Sequence, residues 1–166
     1  MGAVWVLHHS AVLAQVAFTR PSVSLHEARI VVRERGQKLA EISAAQVDVS
    51  PDARYAIFTG GPTGDVYDRG RAALRLHADE IVLDRETQDF SAEGRVEITS
   101  GRGDRVVGSA ARWDNATHRL MLSGGVRVSA GGTDAFAPRV TVDAGLQTVD
   151  LEDGVDVRFL LGTPPR

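Results

Sequence analysis

From residue 81 onward the chain alternates apolar and polar side chains with a period of two, as strands buried on one face require. One parity collects Ile81 and Leu83, Phe90 and Ala92, Val96 and Ile98, Ala111 and Trp113, and Leu120 and Leu122. It continues through Val126 and Val128, Val140 and Val142, Val149 and Leu151, and Val155 and Val157. The opposite parity holds Glu97, Arg112, Arg127, Thr141 and Asp156, with Val82 as an apolar member. The pattern predicts a sheet greasy on one side and wet on the other. No stretch of helical periodicity competes with it, so the expected fold is all-β and antiparallel.

The alternation is itself repeated. Asp84 and Val96, Asp114 and Val126, and Asp143 and Val155 are each twelve residues apart, and the copies recur at intervals of 30 and 29 residues. LDRETQDFSAEGRVEI, WDNATHRLMLSGGVRV and VDAGLQTVDLEDGVDV each read as an apolar residue, Asp, a polar turn, a strand, a glycine and a further strand. Asp84 and Asp114 supply carboxylate oxygens that can cap a tight turn, and Asp143-Ala144-Gly145 uses glycine instead. Midway along each long strand the inward position is Gly94, Gly124 or Asp153, the predicted corner where a strand passes from one sheet to a facing one. A degenerate earlier copy runs through Ala45, Val47, Asp48, Tyr55, Ile57 and Gly60, with Pro51-Asp52 in a longer turn. Ahead of it lies a hairpin about Arg35-Gly36. GGPTGD at 60–65 reads as a loop, and Leu74 and Leu76, opposite in parity to Ile81 and Leu83, imply a register break near Ala78.

Length and composition narrow the function classes. At 166 residues, 43% hydrophobic and 25% charged, the chain suits one folded domain with a real core. A net charge of −3 offers no excess to neutralise phosphates, which argues against nucleic acid as a partner. Zero cysteines exclude disulfides, thiolate nucleophiles and cysteine-based metal sites. Lys38 is the one lysine among 19 basic residues, an arginine excess that genome composition accounts for.

Residues 3–18 carry no charge, and Arg20 is the first charged side chain. The stretch falls short of the roughly 20 residues of a spanning helix, and His8 with His9 interrupts it. It reads as the remnant of a signal peptide or membrane anchor, or as an apolar first strand. The expected division is 1–24 for this segment, 25–160 for the β domain and 161–166 for a tail.

The succession ADEIVLD, AEGRVEI, AARWDNATHRLMLSGGVRV and FAPRVTVDAGLQTVDLEDGVDV resembles the OstA-like proteins of lipopolysaccharide export, LptA and LptC. Its most specific stretch is Trp113, Asp114, Leu120, Leu122, Gly124 and Val126, and the resemblance covers residues 25–160. EARIVVRERGQKLAEISAAQVDV looks like the N-terminal hairpin of LptC, which favours that branch. The resemblance implies a folded-over, open-edged β-jellyroll, or β-taco, that holds acyl chains and joins other jellyrolls edge to edge across the periplasm. The sixteen residues named above from Ile81 to Leu151 would then line a lipid-binding trough. Ala28, Ile30 and Val32 on the first strand, and Val155, Val157 and Phe159 on the last, would be docking edges for an inner-membrane transporter and an LptA-like partner. Residues 1–20 would tether the chain to the inner membrane.

Sharper motifs carry little. Arg102-Gly103-Asp104 fits a hairpin tip and Asn115-Ala116-Thr117 fits the repeat turn. His26, His77 and His118 lack metal-binding spacing, no nucleophile elbow or phosphate loop is present, and no cofactor or metal is expected. The expectation is a protein that is not an enzyme. Another reading is a structural β-solenoid that forms filaments, with a repeat winding in one direction about a dry core.

Overall fold

Alternation resolves into twelve strands joined in one sheet, and every pairing is antiparallel. The computed structural model describes residues 23–143, 149–152, 154 and 156–159. The strands are β1 (Val23–Glu34), β2 (Gln37–Val49), β3 (Tyr55–Thr59), β4 (Thr63–Asp68), β5 (Arg71–His77) and β6 (Glu80–Asp84). β7 (Phe90–Ser100), β8 (Arg105–Asp114), β9 (Arg119–Ala130), β10 (Thr133–Asp143), β11 (Val149–Glu152) and β12 (Asp156–Phe159) follow. The all-β expectation holds. Among the described residues successive rows are joined by hairpins rather than by windings in one direction, which does not support the solenoid.

The pairings are simplest when the chain is read as rows. β2 pairs through Gln46 to Val49 with β3 and through Ala40 to Ser43 with β4, so β3 and β4 form one row interrupted in the middle. β5 and β6 make the next row, and β7 pairs with both, as β10 pairs with both β11 and β12. Each row therefore starts in one wall and ends in the other. The path through β7, β5, β4, β2, β3 and β6 closes on itself because two adjacent rows break where the walls meet.

That meeting line is a chain of one-residue slips. Register shifts between Glu93 and Val96, between Val107 and Ala110 and between Ala137 and Arg139, and the β3/β4 and β5/β6 rows slip at the same height. The additional residue falls on the rows that carry Gly60, Gly94 and Gly124, with φ of +76, +90 and +84°. A bulge with a left-handed glycine bends the strand that contains it, and bulges aligned across neighbouring rows fold the whole sheet. A Cβ at Gly94 would lie 2.2 Å from an Asp79 oxygen, and at Gly124 1.6 Å from the Ser109 hydroxyl oxygen. At Gly60 it would lie 2.7 Å from the Ala45 Cβ. In each case the neighbour is the residue fifteen places earlier, so the corner repeats with the rows.

Three sequence expectations change here. Gly94 and Gly124 are exposed at the corner rather than turned inward. Thr63–Asp65 belong to β4, because glycine and proline at 60–62 mark the corner and not a six-residue loop. In the degenerate copy Ala56 and Phe58 are the buried pair, while Tyr55 and Ile57 face outward, one residue out of the assumed parity. Asp153 lies outside the described residues; beside it Gly154 has φ of +94°.

The turn chemistry follows the sequence. Asp84 Oδ1 accepts the N–H groups of Glu86 and Thr87 at 2.9 and 3.3 Å, and Asp114 Oδ1 those of Ala116 and Thr117 at 2.9 and 3.1 Å. Ser100 Oγ accepts from the Arg102 and Asp104 N–H groups, which makes the Arg-Gly-Asp tripeptide a hairpin tip. Burial works to raise the Asp84 pKa, but the Arg54 guanidinium, at 3.0 Å, and the two backbone donors outweigh it and hold the carboxyl below its ordinary value.

Two expectations follow. Gly94→Val should cost more than about 2 kcal/mol in denaturant unfolding, from left-handed strain plus the Asp79 clash, whereas Gly131→Asn, at φ +56° with open space around it, should stay within about 0.5 kcal/mol. A lowered folded-state pKa stabilises above the unfolded value and is lost as pH falls through the folded one. The melting-temperature gap between wild type and Asp84→Asn should thus be full at pH 7 and vanish in acid below the ordinary Asp value of 3.8.

Candidate functional site

The folded sheet encloses one continuous apolar layer. Every predicted trough residue from Ile81 through Val142 belongs to it, none more than 8% exposed. Leu151 packs half-buried against the layer, and Val149 pairs with Val142, although its side chain lies outside the described residues. The rest of the layer includes Val47 of the degenerate copy and Leu74 and Leu76, which the sequence pattern singled out, together with Ile42, Phe58 and Val66, which it did not. Their alternation is present in the sequence, but the broken rows hide its continuity.

Both walls contribute, and their inner faces touch. Near the hairpin tips the packing between the walls is incomplete. There a cleft of about 30 Å³ is lined from one wall by Leu83, Phe90, Trp113 and His118 and from the other by Val32, Leu39 and Tyr67. This volume suits a water molecule or two, not a hydrocarbon chain. Trp113 stacks on Phe90 with centroids 6.1 Å apart and planes 11° apart, and meets the His118 ring at 5.9 Å.

The tips of each wall are tied laterally. On the first wall, Arg54 pairs with Asp84, Arg85 Nη1 donates to the Ala53 carbonyl at 2.8 Å, and the Asn115 N–H donates to Asp89 at 2.8 Å. These contacts stitch the turns at 50–54, 84–89 and 114–118 into one lip. On the second wall, Lys38 Nζ sits 2.6 Å from Glu41 and 4.7 Å from the Tyr67 ring centre. The hydrogen bond to Glu41 raises the Lys38 pKa and lowers that of Glu41.

The end rows have a single strand neighbour among the described residues: β2 for β1, and β10 for β11 and β12. Ala28, Ile30 and Val32 are half-buried against the layer. Leu25 stands opposite Val47 and Val23 opposite Val49, on the inner face, yet they are 42 and 47% exposed. The inner surface is thus uncovered at the β1 end. At the other end Val157 pairs with Ala135 and Phe159 with Thr133; Val155 lies outside the described residues. Arg127 is on the outer face, its guanidinium 4.7 Å from the Phe136 ring centre. His26, His77 and His118 do not converge, and among the described residues no group of three or more metal-ligating side chains forms.

No family model matches the chain, and no curated protein matches it. Among solved structures it is similar to LptH of Pseudomonas aeruginosa, described as the LptA-homologous periplasmic component of the conserved lipopolysaccharide transport device. The likeness has a TM-score of 0.61 at 12% identity and covers 76% of this chain and 97% of that one. At this identity it establishes the fold: the chain has the folded-over β-jellyroll architecture of that component.

Proposed function

We propose that this chain is a periplasmic component of lipopolysaccharide transport, a jellyroll that shields acyl chains between its two walls and passes them to a neighbouring jellyroll. The observation that carries the reading is the continuous apolar layer between two walls whose end rows have, among the described residues, a strand neighbour on one side only. Hydrocarbon belongs in such a layer, because each methylene removed from water contributes about 0.8 kcal/mol, and a chain of about fourteen carbons on the order of 10 kcal/mol. Small inward residues such as Ala92, Ala111, Val126 and Val128 leave more width than aromatic side chains would, and the likeness to a periplasmic transport component supports the same assignment.

The trough in this proposal consists of the sixteen residues from Ile81 to Leu151 named from the sequence, extended by Ile42, Phe58, Val66, Leu74 and Leu76. A strand edge with free N–H and C=O groups is a template for another strand. The β1 edge at Ala28, Ile30 and Val32 would receive the jellyroll of an inner-membrane transporter, and the Val155 to Phe159 edge an LptA-like partner. This is the LptC-like role, with the uncharged residues 3–18 as the tether. Membrane fractionation of the native host tests it: recovery of the chain with the inner membrane supports LptC, and release as a free periplasmic protein supports LptA.

A diazirine analogue of leucine at position 122, on the inner face, should capture lipopolysaccharide on irradiation. The methionine analogue at exposed Met121, one residue away on the outer face, should capture at least tenfold less. Equal labelling at both positions would defeat the inside-outside assignment. Val31→Pro removes a strand donor from β1. If β1 is a docking edge, the variant should bind the transporter more weakly in pull-down while keeping its circular dichroism.

A further inference from the structure

The recurring corner supplies its own comparison. Gly60, Gly94 and Gly124 are seated on Ala45, Asp79 and Ser109 respectively. The last cross-strand pair before each glycine is equivalent too: Gln46 opposite Thr59, Glu80 opposite Glu93, and Ala110 opposite Ser123. Two of these corners have uncharged residues at all three places. The corner between β6 and β7 has an acid at every one: Asp79, Glu80 and Glu93. The uncharged corners show that the fold does not require these carboxylates, and like charges directly opposite on paired strands repel.

The acidic corner is also where a row is broken. Between His77 opposite Glu97 and Glu80 opposite Glu93, the chain passes from β5 to β6. Hydrogen bonds at Asp79 span the gap: its N–H donates to the Glu93 carbonyl at 3.1 Å, and its carboxylate accepts the Arg95 N–H at 3.2 Å. The Glu80–Glu93 step is thus the end of the β6 ladder, where repulsion between side chains acts against the fewest backbone bonds.

We propose that this corner is a proton-sensitive hinge: with Glu80 and Glu93 both ionised the last step of the β6–β7 ladder loosens, and with Glu80 protonated it closes as the uncharged corners do. The hinge operates whether or not the trough carries lipid. The surroundings of Glu80 set the direction of the response. β3 places Thr59 opposite it and Ile57 two residues along; β7 places Glu93 opposite it, with Ser91 before and Arg95 after. β5 ends across the corner at His77, and β8 brings Ala110 opposite Glu93 and Arg112 into the outer groove that Glu93 lines. Burial first, and the Glu93 charge second, hold the half-buried Glu80 carboxyl above its ordinary value, and neither Arg95 nor Arg112 reverses this. A folded-state value raised above the unfolded one gives stability that is full below the unfolded value and is lost as pH rises through the folded one. Acid therefore tightens this corner. The protonated carboxyl ends the repulsion and can donate a hydrogen bond to Glu93.

The other corners also suggest the variants. Glu80→Gln installs the residue type that Gln46 provides at the first corner, and Glu93→Thr the type that Thr59 provides. The hydrogen-exchange protection factor of the Asp79 amide reads the hinge, the Ala110 and Ser123 amides read an uncharged corner, and circular dichroism reads the fold. At pH 7 both variants should raise Asp79 protection at least about threefold over wild type, the scale of one cross-strand pair, with Ala110 and Ser123 unchanged. The gain in Glu80→Gln should disappear below the ordinary Glu value of 4.5. Absence of the gain from either variant at pH 7 overturns the hinge. A Glu80→Gln gain that persists in acid does the same, since it would not come from ionisation. An equal gain at all three amides also overturns it, because that is a rise in global stability.

Discussion

The rest of the molecule depends on one geometric constraint: neighbouring rows must turn the same corner at the same height while their side chains stay on the inner face. A strand that bends sharply without a bulge loses either its ladder or its parity. Here the cost is met by an additional residue on the rows carrying Gly60, Gly94 and Gly124, each glycine in a left-handed conformation and seated on the row before it. Because the slips line up, the bends add into one fold line and both halves of each row contribute inward side chains. A single misplaced bulge would turn the following half-row inside out, since a one-residue shift exchanges the two faces of a strand.

This constraint explains why the interior is continuous and why it is apolar from end to end. Val96 and Ile98 in one wall belong to the same strand as Phe90 and Ala92 in the other, and the whole set is buried. The polar groups are then forced outward, to the turns or to the corner, where they can pair only with their own wall. Cohesion between walls is left to the hydrophobic effect, which is non-directional and indifferent to whether the apolar partner is protein or lipid. A cross-wall salt bridge would fix the angle and resist separation; among the described residues the ion pairs of Arg54, Lys38, Arg75 and Arg105 each stay within one wall, and Leu, Ile, Val and Phe fill the space between.

Much of the fold is legible in the sequence where local physics and the global pattern agree. Alternation from Ile81 to Leu151 gave the inner face, and the Asp residues at 84 and 114 gave the turns, because an Asx cap needs only its own two following N–H groups. The corner glycines were recognisable from their recurrence. Their direction was not, because whether a glycine faces in or out depends on which row carries the additional residue, a property of pairs of strands. For the same reason GGPTGD looked like a loop and Tyr55 with Ile57 looked like the inner pair: a bulge resets parity, and only the pairing with β2 shows where the additional residue falls. The cleft at Leu39, Tyr67, Phe90 and Trp113 was equally hidden, since it joins tips more than fifty residues apart in the case of Leu39 and Phe90.

The same distinction accounts for a likeness in shape with so little likeness in sequence. At 12% identity few individual residues are shared with the periplasmic transport component, yet the two backbones superpose over 97% of that chain. The fold demands parity along each row, a small residue at the corner of alternate rows and a turn of fixed length between rows; these are requirements on residue class and spacing. Val, Ile and Leu interchange freely on an inner face that need not be filled to one shape, because cores keep their architecture when volume and patterning are kept. Loose identity and strict periodicity are therefore what such an interior would be expected to leave in a sequence.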